Sequence, residues 1–216
     1  MKIPFTVNNV VHYLDLPTDL PHRKIGHPFG YILEHPDMAQ GYVNIIYDMC
    51  RKLPKGQDVT DLMGGIGIYP TVLWDLLQPK SWTSVEIDPE CRQYYQQPKA
   101  KFHCTNAYDY QDFGDIVFID MPNGTLRTIA DNMDGRRRMW NNIGVERPKH
   151  LIVTDHGYYW VHLPNHHPWY IEHFGEKPTK DNYARLWDRW MREYVGYTVT
   201  EERHGFSSQY FHMEPV

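Results

Sequence analysis

The stretch DLMGGIGIYP, residues 61–70, places three glycines directly after a short apolar run and ends at a proline. Residues 59–63 predict a buried strand, and the residues that follow predict a helix because Val72, Leu73, Leu76 and Leu77 recur at helical spacing. Gly64, Gly65 and Gly67 therefore lie where a strand passes into a helix, which is the ligand crevice of an open α/β sheet. A ligand can contact bare backbone there, and free N–H groups at the helix start can bind its polar groups. The alternative is that the glycines only form a tight turn.

The rest of the chain alternates short apolar runs with helical stretches, which is typical of β-α-β units and a parallel sheet. Strands are predicted at residues 59–63, 82–87, 101–104, 115–120 and 150–154. Two further strands, YTVTEER and SQYFHME, are joined by a turn at His204 and Gly205 and predict a C-terminal antiparallel hairpin. We therefore predict an α/β fold of three layers, doubly wound, with a seven-stranded and mostly parallel sheet.

An N-terminal segment and two amphipathic helices lie outside the predicted strands. Residues 1–34 are rich in Pro, His and Gly and are expected to form an irregular arm or a lid ahead of a single domain at residues 35–216. The sheet domain opens with an amphipathic helix whose apolar face carries Met38, Tyr42, Ile45, Ile46 and Met49. A second amphipathic helix, DNYARLWDRWMREYVG, ends at Gly196 and is expected to pack in the core through Tyr183, Leu186, Trp187, Trp190, Met191 and Tyr194.

Composition excludes several classes of protein. At 216 residues, 41% hydrophobic and 14% aromatic, the chain suffices for one well-buried domain. The formal net charge of −5 provides no overall positive field, so contact with nucleic acid needs a local patch. No apolar run approaches the roughly 20 residues that span a bilayer. Three cysteines without a CxxC pair, and a start that lacks an apolar signal core, lead us to expect a cytoplasmic protein.

A second ligand signal is SVEIDPE, in which Glu86 ends the second strand of the domain, 21 positions after Gly65. An acid at this place can accept both hydroxyls of a ribose. The alternative is an ordinary solvated acid at a strand end. Pro70 stands where a dinucleotide fingerprint needs a third glycine, and the GK[ST] of a phosphate loop is absent from the sequence. A ligand with a ribose and no phosphates fits better, and S-adenosylmethionine is such a ligand.

The ordered series DLMGGIG, SVEIDPE, CTNAYDY and DIVFIDMPN resembles the class I S-adenosylmethionine-dependent methyltransferases, over residues 36–216. The resemblance implies the Rossmann-like fold of that family, and Met63 departs from its pattern by standing where a glycine is usual. It also implies that Glu86 binds the ribose, that Ile87 lies against the adenine and that Asn106 replaces the acid that contacts the adenine amine. The cofactor site implied in this way comprises Asp61, Gly64, Gly65, Gly67, Glu86, Ile87, Asn106 and Asp120.

The motif DIVFIDMPN bears on the chemistry, because it resembles the DPPY-type element of amino-methyltransferases. In that element the acid and a following backbone carbonyl hold the exocyclic amine of a flipped base. Met121 replaces the first proline here, and Asn123 replaces the aromatic residue that stacks on the base. The catalytic residues at this motif are Asp120, Pro122 and Asn123. His156, just beyond the strand LIVTD, is expected at the same edge of the crevice and is the fourth catalytic candidate, as an acceptor of the departing proton. Alternatively, Asp120 orders the turn or binds the cofactor's amino group, and His156 is a polar loop residue.

The sequence thus resembles most the branch of the family that methylates nucleic-acid bases, by direct displacement of a methyl group from a sulfonium. A small-molecule methyltransferase and a non-catalytic Rossmann module that binds a nucleoside are the alternatives, and Pro70 disfavours a nicotinamide-dependent reductase. Arg136, Arg137 and Arg138, in GRRRMW, form either a phosphate-binding patch or a solvated helix face.

The irregular segment at residues 155–180 is expected to cap a substrate pocket or to form a partner surface. It contains four histidines, whose spacing around prolines, without an HExxH helix, leads us to predict no metal site. These histidines are His162, His166, His167 and His173.

Overall fold

The computed structural model describes residues 2–18, 36–120, 133–155, 171, 175–177, 179, 181–205 and 208–216. Within these residues the strands are β1 (Lys2–Val7), β2 (Val10–Asp15), β3 (Asp58–Leu62), β4 (Ser81–Glu86), β5 (Lys101–Cys104), β6 (Ile116–Asp120), β7 (His150–Asp155), β8 (Tyr197–Gly205) and β9 (Ser208–Pro215). The α-helices are α1 (Pro36–Cys50), α2 (Ile68–Leu77), α3 (Met133–Glu146) and α4 (Tyr183–Trp190). Two 3₁₀-helices, Pro89–Tyr94 and Ala107–Asp109, follow β4 and β5.

A seven-stranded sheet organises the fold, with strand order β5-β4-β3-β6-β7-β9-β8. Strands β3 to β7 pair in parallel, and β9 lies antiparallel between β7 and β8. The sheet is buried on both faces, as alternate residues of β6 show. Ile116 and Phe118 pack in the core that includes α1 and α2, whereas Val117 and Ile119 pack in the core that includes α3 and α4. The three-layer α/β fold with a C-terminal antiparallel hairpin, predicted above, is confirmed.

Residues 2–15 differ from the irregular arm expected at the N-terminus, because they form the β1-β2 hairpin. Asn8 and Asn9 make its two-residue turn with φ of 49° and 62°, left-handed values that asparagine tolerates and that suit the twist of a hairpin. Ile3, Phe5 and Val7 alternate with exposed residues and are buried in the core that contains α1. The irregular arm expected for this stretch is wrong, because the Asn-Asn turn and the alternation of buried and exposed residues favour a hairpin. Residues 19–34 lie outside the described part of the chain.

The aromatic stripe of the α4 region is confirmed except at Tyr194, which is 68% exposed. The α-helix passes into a π-helical segment at Met191–Val195, in which the Gly196 N–H donates to the Met191 carbonyl. A π-helical turn holds one more residue than an α-helical turn. This rotates the stripe by one position, so that Val195 is buried in place of Tyr194. Gly196 ends the segment in the left-handed conformation, as predicted.

The turn of the C-terminal hairpin does not lie at His204 and Gly205, where the sequence had placed it. Strand β8 continues through both residues, with His204 opposite Gln209 and Gly205 opposite Ser208. The pairing therefore extends further than turn composition indicated, because glycine can remain in a strand where a neighbouring side chain packs closely over it. A Cβ on Gly205 would lie 2.5 Å from Cδ1 of Ile45 in α1.

The glycine turn after β3 is shaped by a close approach within the chain itself. Gly67 has φ of 78°, and a Cβ there would lie 2.8 Å from the ring of Tyr95. At Gly64 a Cβ would lie 2.9 Å from a carboxyl oxygen of Asp61 and 3.1 Å from the Tyr95 hydroxyl. The missing side chains of Gly64 and Gly67 thus make room for Tyr95, which follows the 3₁₀-helix after β4. A contact within the chain itself is thus one reason for glycine at these two positions.

Gly67→Ala is expected to destabilise the protein more than Gly56→Ala. Gly56 has a similar φ of 72° but nothing within 4 Å of an added Cβ. Both variants bear the cost of a left-handed alanine, about 1–2 kcal/mol, whereas Gly67→Ala also displaces Tyr95, for a further 1–3 kcal/mol or so. Urea unfolding monitored by circular dichroism measures both losses. Equal losses would show that Tyr95 yields without cost.

Candidate functional site

The candidate site lies where the sheet reverses its strand order, between β3 and β6. From β3 the chain adds β4 and β5 on one side, and it then crosses to add β6 and β7 on the other. The loops at the carboxyl ends of β3 and β6 therefore diverge and leave a crevice, the usual ligand site of such sheets. Asp61 near the end of β3 and Asp120 at the end of β6 are both buried at this place.

Asp61 is fully buried and incompletely hydrogen-bonded. Its Oδ2 accepts from the Ser84 hydroxyl at 3.2 Å, whereas its Oδ1 is buried with no hydrogen-bond partner among the described residues. Burial raises the pKa of Asp61 to about 8, and the nearby Glu86 carboxylate adds to the shift. A buried acceptor without a partner is costly. Asp61 thus offers an oxygen that a ligand with a donor or a positive charge can satisfy.

Asp120, at the end of the neighbouring strand β6, is also buried and incompletely hydrogen-bonded by the described residues. Its Oδ1 is buried without a hydrogen-bond partner in the described part of the chain. Burial raises the pKa of Asp120 well above its usual range, and repulsion from Asp61 raises it further. Two incompletely satisfied carboxyls at one crevice are unusual for a structural core, since each of them costs stability. The pair is therefore the candidate functional site.

Glu86 lies at the end of β4, where two backbone groups orient its carboxylate. Oε2 accepts from the Gly65 N–H and Oε1 from the Asp88 N–H, both at 3.0 Å. Each carboxylate oxygen can still accept a second hydrogen bond. The glycine turn and the acid are thus joined directly, 21 positions apart in sequence. Gly65 itself has φ of 50°.

A cleft of about 270 Å³ opens beside Glu86. It brings Glu86 together with Ile87 and Asn106, which the sequence had assigned to the same ligand. Ile87 is 66% exposed and so presents an apolar surface to this cleft. The described residues that line the cleft do not include the three glycines of the turn; they are Met63, Val85, Glu86, Ile87, Asn106, Ala107 and Tyr108.

Asn106 has a local structural role in addition to its place in the cleft. Its Oδ1 accepts from the Tyr108 N–H at 3.0 Å and caps the short 3₁₀-helix that begins at Ala107. An amide oxygen can accept two hydrogen bonds. The cap holds Asn106 in position at the wall of the cleft and leaves its oxygen able to accept a second bond.

Sequence reasoning missed several residues near the carboxyl ends of β6 and β7 that come from other elements. The Tyr69 hydroxyl of α2 lies 3.4 Å from Thr154 Oγ1 at the end of β7. Strand β9 brings Gln209 opposite Asp155 and Tyr210 opposite Thr154. The Gln209 amide is buried without a hydrogen-bond partner among the residues described. No sequence motif pointed to these residues, because the antiparallel return of β9 places them there.

The remaining predicted site residues fall in parts of the chain that the structure does not describe. Pro122, Asn123 and His156 lie outside the described residues. The same holds for the four histidines of the segment at 155–180. Asp155, just before His156, is anchored in the core: it accepts from the Tyr183 hydroxyl and from Trp187 Nε1, the latter at 3.0 Å.

The arginine run does not form one exposed patch. Arg136 is only 2% exposed, because residues 136, 139, 140 and 143 of α3 face the core. Arg137 and Arg138 are exposed, and each contacts an acid: Asp134 at 3.7 Å and Asp109 at 2.9 Å. The helical period thus separates three residues that are adjacent in sequence, and two of the three remain as candidates for phosphate contact.

A larger cleft of about 690 Å³ lies beside the edge strand β5 and is lined in part by Arg92, Lys101 and His103. It contains none of the predicted site residues and no unsatisfied carboxyl. The chemistry of the side chains, rather than volume, therefore selects the crevice between β3 and β6. The described part of the chain includes no helix long and apolar enough to cross a membrane.

Comparison with known proteins agrees with this topology. The structure of TrmN from Thermus thermophilus superposes with a TM-score of 0.53 at 12% identity; the match covers 81% of this chain and 48% of that one, so this chain spans about half the length of TrmN. The methyltransferase domain of bacterial Hen1 gives a TM-score of 0.57 at 13% identity, covering 82% of this chain and 99% of that one. The chain has the class I methyltransferase fold.

A third solved structure with this fold is a putative methyltransferase from Haloferax volcanii, in complex with the Trm112 methyltransferase activator. It gives a TM-score of 0.55 at 15% identity, with 86% of this chain and 92% of that one covered. No protein-family model matches the sequence, and no curated protein is found to match it. The likeness of this chain to the three proteins is thus one of fold, at 12–15% sequence identity.

The raised pKa of Asp61 makes stability depend on pH. An unfolded aspartate has a pKa near 3.9, so between about pH 4 and 8 the folded chain holds a proton that the unfolded chain has released. The free energy of unfolding therefore falls as the pH rises through this window. Asp61→Asn removes this loss, and its stability relative to the parent protein is expected to increase from pH 5 to pH 8. Thermal and urea unfolding at both pH values measure the difference; a constant difference would mean that Asp61 titrates normally.

Proposed function

We propose that the protein is an S-adenosylmethionine-dependent methyltransferase that modifies a nucleic-acid base. The observation that carries the proposal is the pair of buried carboxyls at the ends of β3 and β6, Asp61 and Asp120, each with an oxygen that has no hydrogen-bond partner among the described residues. Glu86 and its cleft follow β4, the strand next to β3. An acid at the end of β6 that does not bind the cofactor would have no role in a module that only held a nucleoside. The class I methyltransferase fold is consistent with the proposal, and the acceptor is inferred from the residues alone.

The residues present fit the proposed cofactor. The walls of the cleft at Val85, Ile87 and Ala107 are apolar, as an adenine ring requires, and Glu86 can accept from both hydroxyls of a ribose. The unpartnered oxygen of Asp61 suits the positively charged end of the same ligand. When bound, S-adenosylmethionine supplies a methyl group on a positively charged sulfur.

In this proposal Asp120 orients the acceptor. Asp120 Oδ1, which has no hydrogen-bond partner among the described residues, can accept a hydrogen bond from an amine. It can also disperse the positive charge that develops on the acceptor nitrogen during methyl transfer. Burial excludes water, which strengthens that interaction. A positive charge beside Asp61 and Asp120 favours their ionised forms, so a cationic ligand lowers the pKa of both. Alignment of the reacting atoms supplies most of the acceleration, because methyl displacement needs little acid or base strength.

A base is favoured as the acceptor because DIVFIDMPN, which ends in the segment after β6, resembles the element that holds an exocyclic amine in amino-methyltransferases. A small-molecule acceptor is the second candidate. It is favoured by the burial of Arg136 and by the acids beside Arg137 and Arg138, which leave little positive surface near α3.

Incubation with methyl-tritiated S-adenosylmethionine and, separately, nucleosides, RNA, DNA and a small-molecule extract decides between the two candidates. Label in RNA or DNA supports the first and label only in the extract supports the second. Absence of label in every fraction, from protein that binds the cofactor, would favour a binding module.

Glu86→Ala is expected to weaken binding of S-adenosylhomocysteine, the demethylated cofactor, by about 1.5–3 kcal/mol, since it removes charge-assisted hydrogen bonds to the ribose. Glu90→Ala, which removes an exposed acid four positions later, is the control and should bind as the parent does. Titration calorimetry measures the affinities. The cofactor should also raise the melting temperature, whereas NAD should not. Stabilisation by NAD alone, or full affinity in Glu86→Ala, would overturn this assignment.

Asp120→Ala is expected to lose roughly 10²–10⁴-fold in turnover of the labelled acceptor, the range for removal of a positioned polar group. The affinity for the cofactor should change far less, because an interaction made with the reacting nitrogen affects the rate rather than cofactor binding. Asp120→Asn keeps the shape and tests the charge alone. Loss of cofactor binding in Asp120→Ala would assign the acid to the cofactor pocket, and intact turnover would mean that another residue orients the acceptor.

A further inference from the structure

Three potential metal ligands converge on the sheet, away from the crevice. His150 Nδ1 lies 3.1 Å from His212 Nε2, and Glu214 Oε1 lies 3.3 Å from His150 Nδ1 and 3.6 Å from His212 Nε2. Each residue thus contributes one atom to a small triangle. Of the described residues, these three form the one group of His, Cys, Asp and Glu side chains with this convergence.

The sheet register brings the three residues to the same face. In the antiparallel pair of β7 and β9, Leu151 lies opposite Met213 and Ile152 opposite His212. One step before Leu151, His150 therefore comes opposite Glu214, while His212 is two residues from Glu214 on its own strand. Side chains two residues apart in a strand share a face. The cluster is thus a direct consequence of strand pairing.

The distances match those of a tetrahedral metal site. Zinc binds imidazole nitrogen and carboxylate oxygen at about 2.0–2.2 Å, so two ligand atoms of a tetrahedral site lie about 3.3–3.6 Å apart. The observed separations of 3.1, 3.3 and 3.6 Å span this range. One ion can therefore bind all three atoms without rearrangement of the backbone. The side chain of Glu214 is 43% exposed, so the fourth position faces solvent.

Contacts around the three residues fix the backbone and pair the neighbouring charges. Glu201 of β8 lies opposite His212 in the register and binds Lys52 at 2.8 Å, which offsets the positive charge of Lys52. The Arg203 guanidinium likewise contacts Glu201, at 2.6 Å. The Thr200 hydroxyl donates to the His212 carbonyl at 3.2 Å and fixes the backbone of β9 next to the cluster. Such outer contacts hold metal ligands in place.

We propose that His150, His212 and Glu214 bind a divalent transition-metal ion, with Zn²⁺ as the favoured ion, that ties β7 to β9. Two imidazole nitrogens favour Zn²⁺ over Mg²⁺ or Ca²⁺, which take oxygen ligands. The metal site lies at the opposite end of β7 from the crevice, so its role is structural. His150 begins β7 and Asp155 ends it, about 16 Å apart at 3.3 Å per residue. The proposal is independent of the methyltransferase activity and of the histidines at 155–180, for which the sequence predicts no metal site.

The test is a titration of EDTA-treated full-length protein with Zn²⁺, by calorimetry and by the melting temperature. The parent protein should bind one ion at this site and melt at a higher temperature with Zn²⁺. Glu214→Gln and His150→Asn should each lower the affinity for Zn²⁺ by more than about 100-fold. Loss of a residue that only hydrogen-bonds to a metal ligand costs about 10–100-fold, and loss of the ligand itself should cost more. Both variants should melt as the parent does in EDTA, which shows that they fold.

The matched control is Glu202→Gln, since Glu202 pairs with His204 on the same hairpin at 2.6 Å and no third ligand among the described residues joins that pair. It should bind Zn²⁺ as the parent does. Co²⁺ gives a second readout, because tetrahedral Co²⁺ absorbs visible light strongly and the hydrated ion does not. Loss of this absorption in Glu214→Gln, with retention in Glu202→Gln, supports the site. Parent-like Zn²⁺ affinity in both ligand variants, or absence of saturable binding in the parent, would overturn the proposal and leave a hydrogen-bonded cluster.

Discussion

The parallel pairing of β3 with β6 is the constraint on which the candidate site depends. The two strands are far apart in sequence and adjacent in the sheet, with Leu62 opposite Ile119. The connections that follow their carboxyl ends run to opposite sides of the sheet, and this divergence forms the crevice. Asp61 and Asp120 come together only because of this pairing. Every function proposed for the crevice follows from that juxtaposition of two acids in a buried environment.

The two acids illustrate how a site costs stability. A core that served packing alone would hold apolar residues or fully hydrogen-bonded polar groups at these positions. Instead, Asp61 and Asp120 each keep a buried oxygen unsatisfied by the described residues. Burial raises the pKa of both; repulsion from Glu86 adds to the shift of Asp61, and repulsion from Asp61 adds to that of Asp120. A ligand that carries positive charge or hydrogen-bond donors relieves both costs at once. Such local conflicts in an otherwise consistent fold are typical of functional sites.

The antiparallel strand β9 serves both ends of the sheet. At one end it places Gln209 and Tyr210 opposite the last residues of β7, and Tyr210 packs on the face of the sheet that carries Ile116 and Phe118. At the other end it places His212 and Glu214 beside His150. An ion bound at this second end would hold β7 and β9 in register and so keep Gln209 and Tyr210 in place. The same strand pairing therefore connects the proposed metal site with the geometry of the crevice.

The sequence by itself determined the order of the strands from residue 59 onward and the class of the sheet, because hydrophobic periodicity and glycine turns are local signals. The resemblance to the class I methyltransferases implied that Glu86, Ile87 and Asn106 contact one ligand, and one cleft contains all three. It also singled out Asp61 and Asp120, through motifs at strand ends. Only the tertiary structure decided that Tyr95 fills the space above Gly64 and Gly67, that Arg136 is buried and that His150 meets His212 and Glu214. These facts depend on which strand lies next to which and on the phase of each helix, and such long-range packing leaves no trace in a local stretch of sequence.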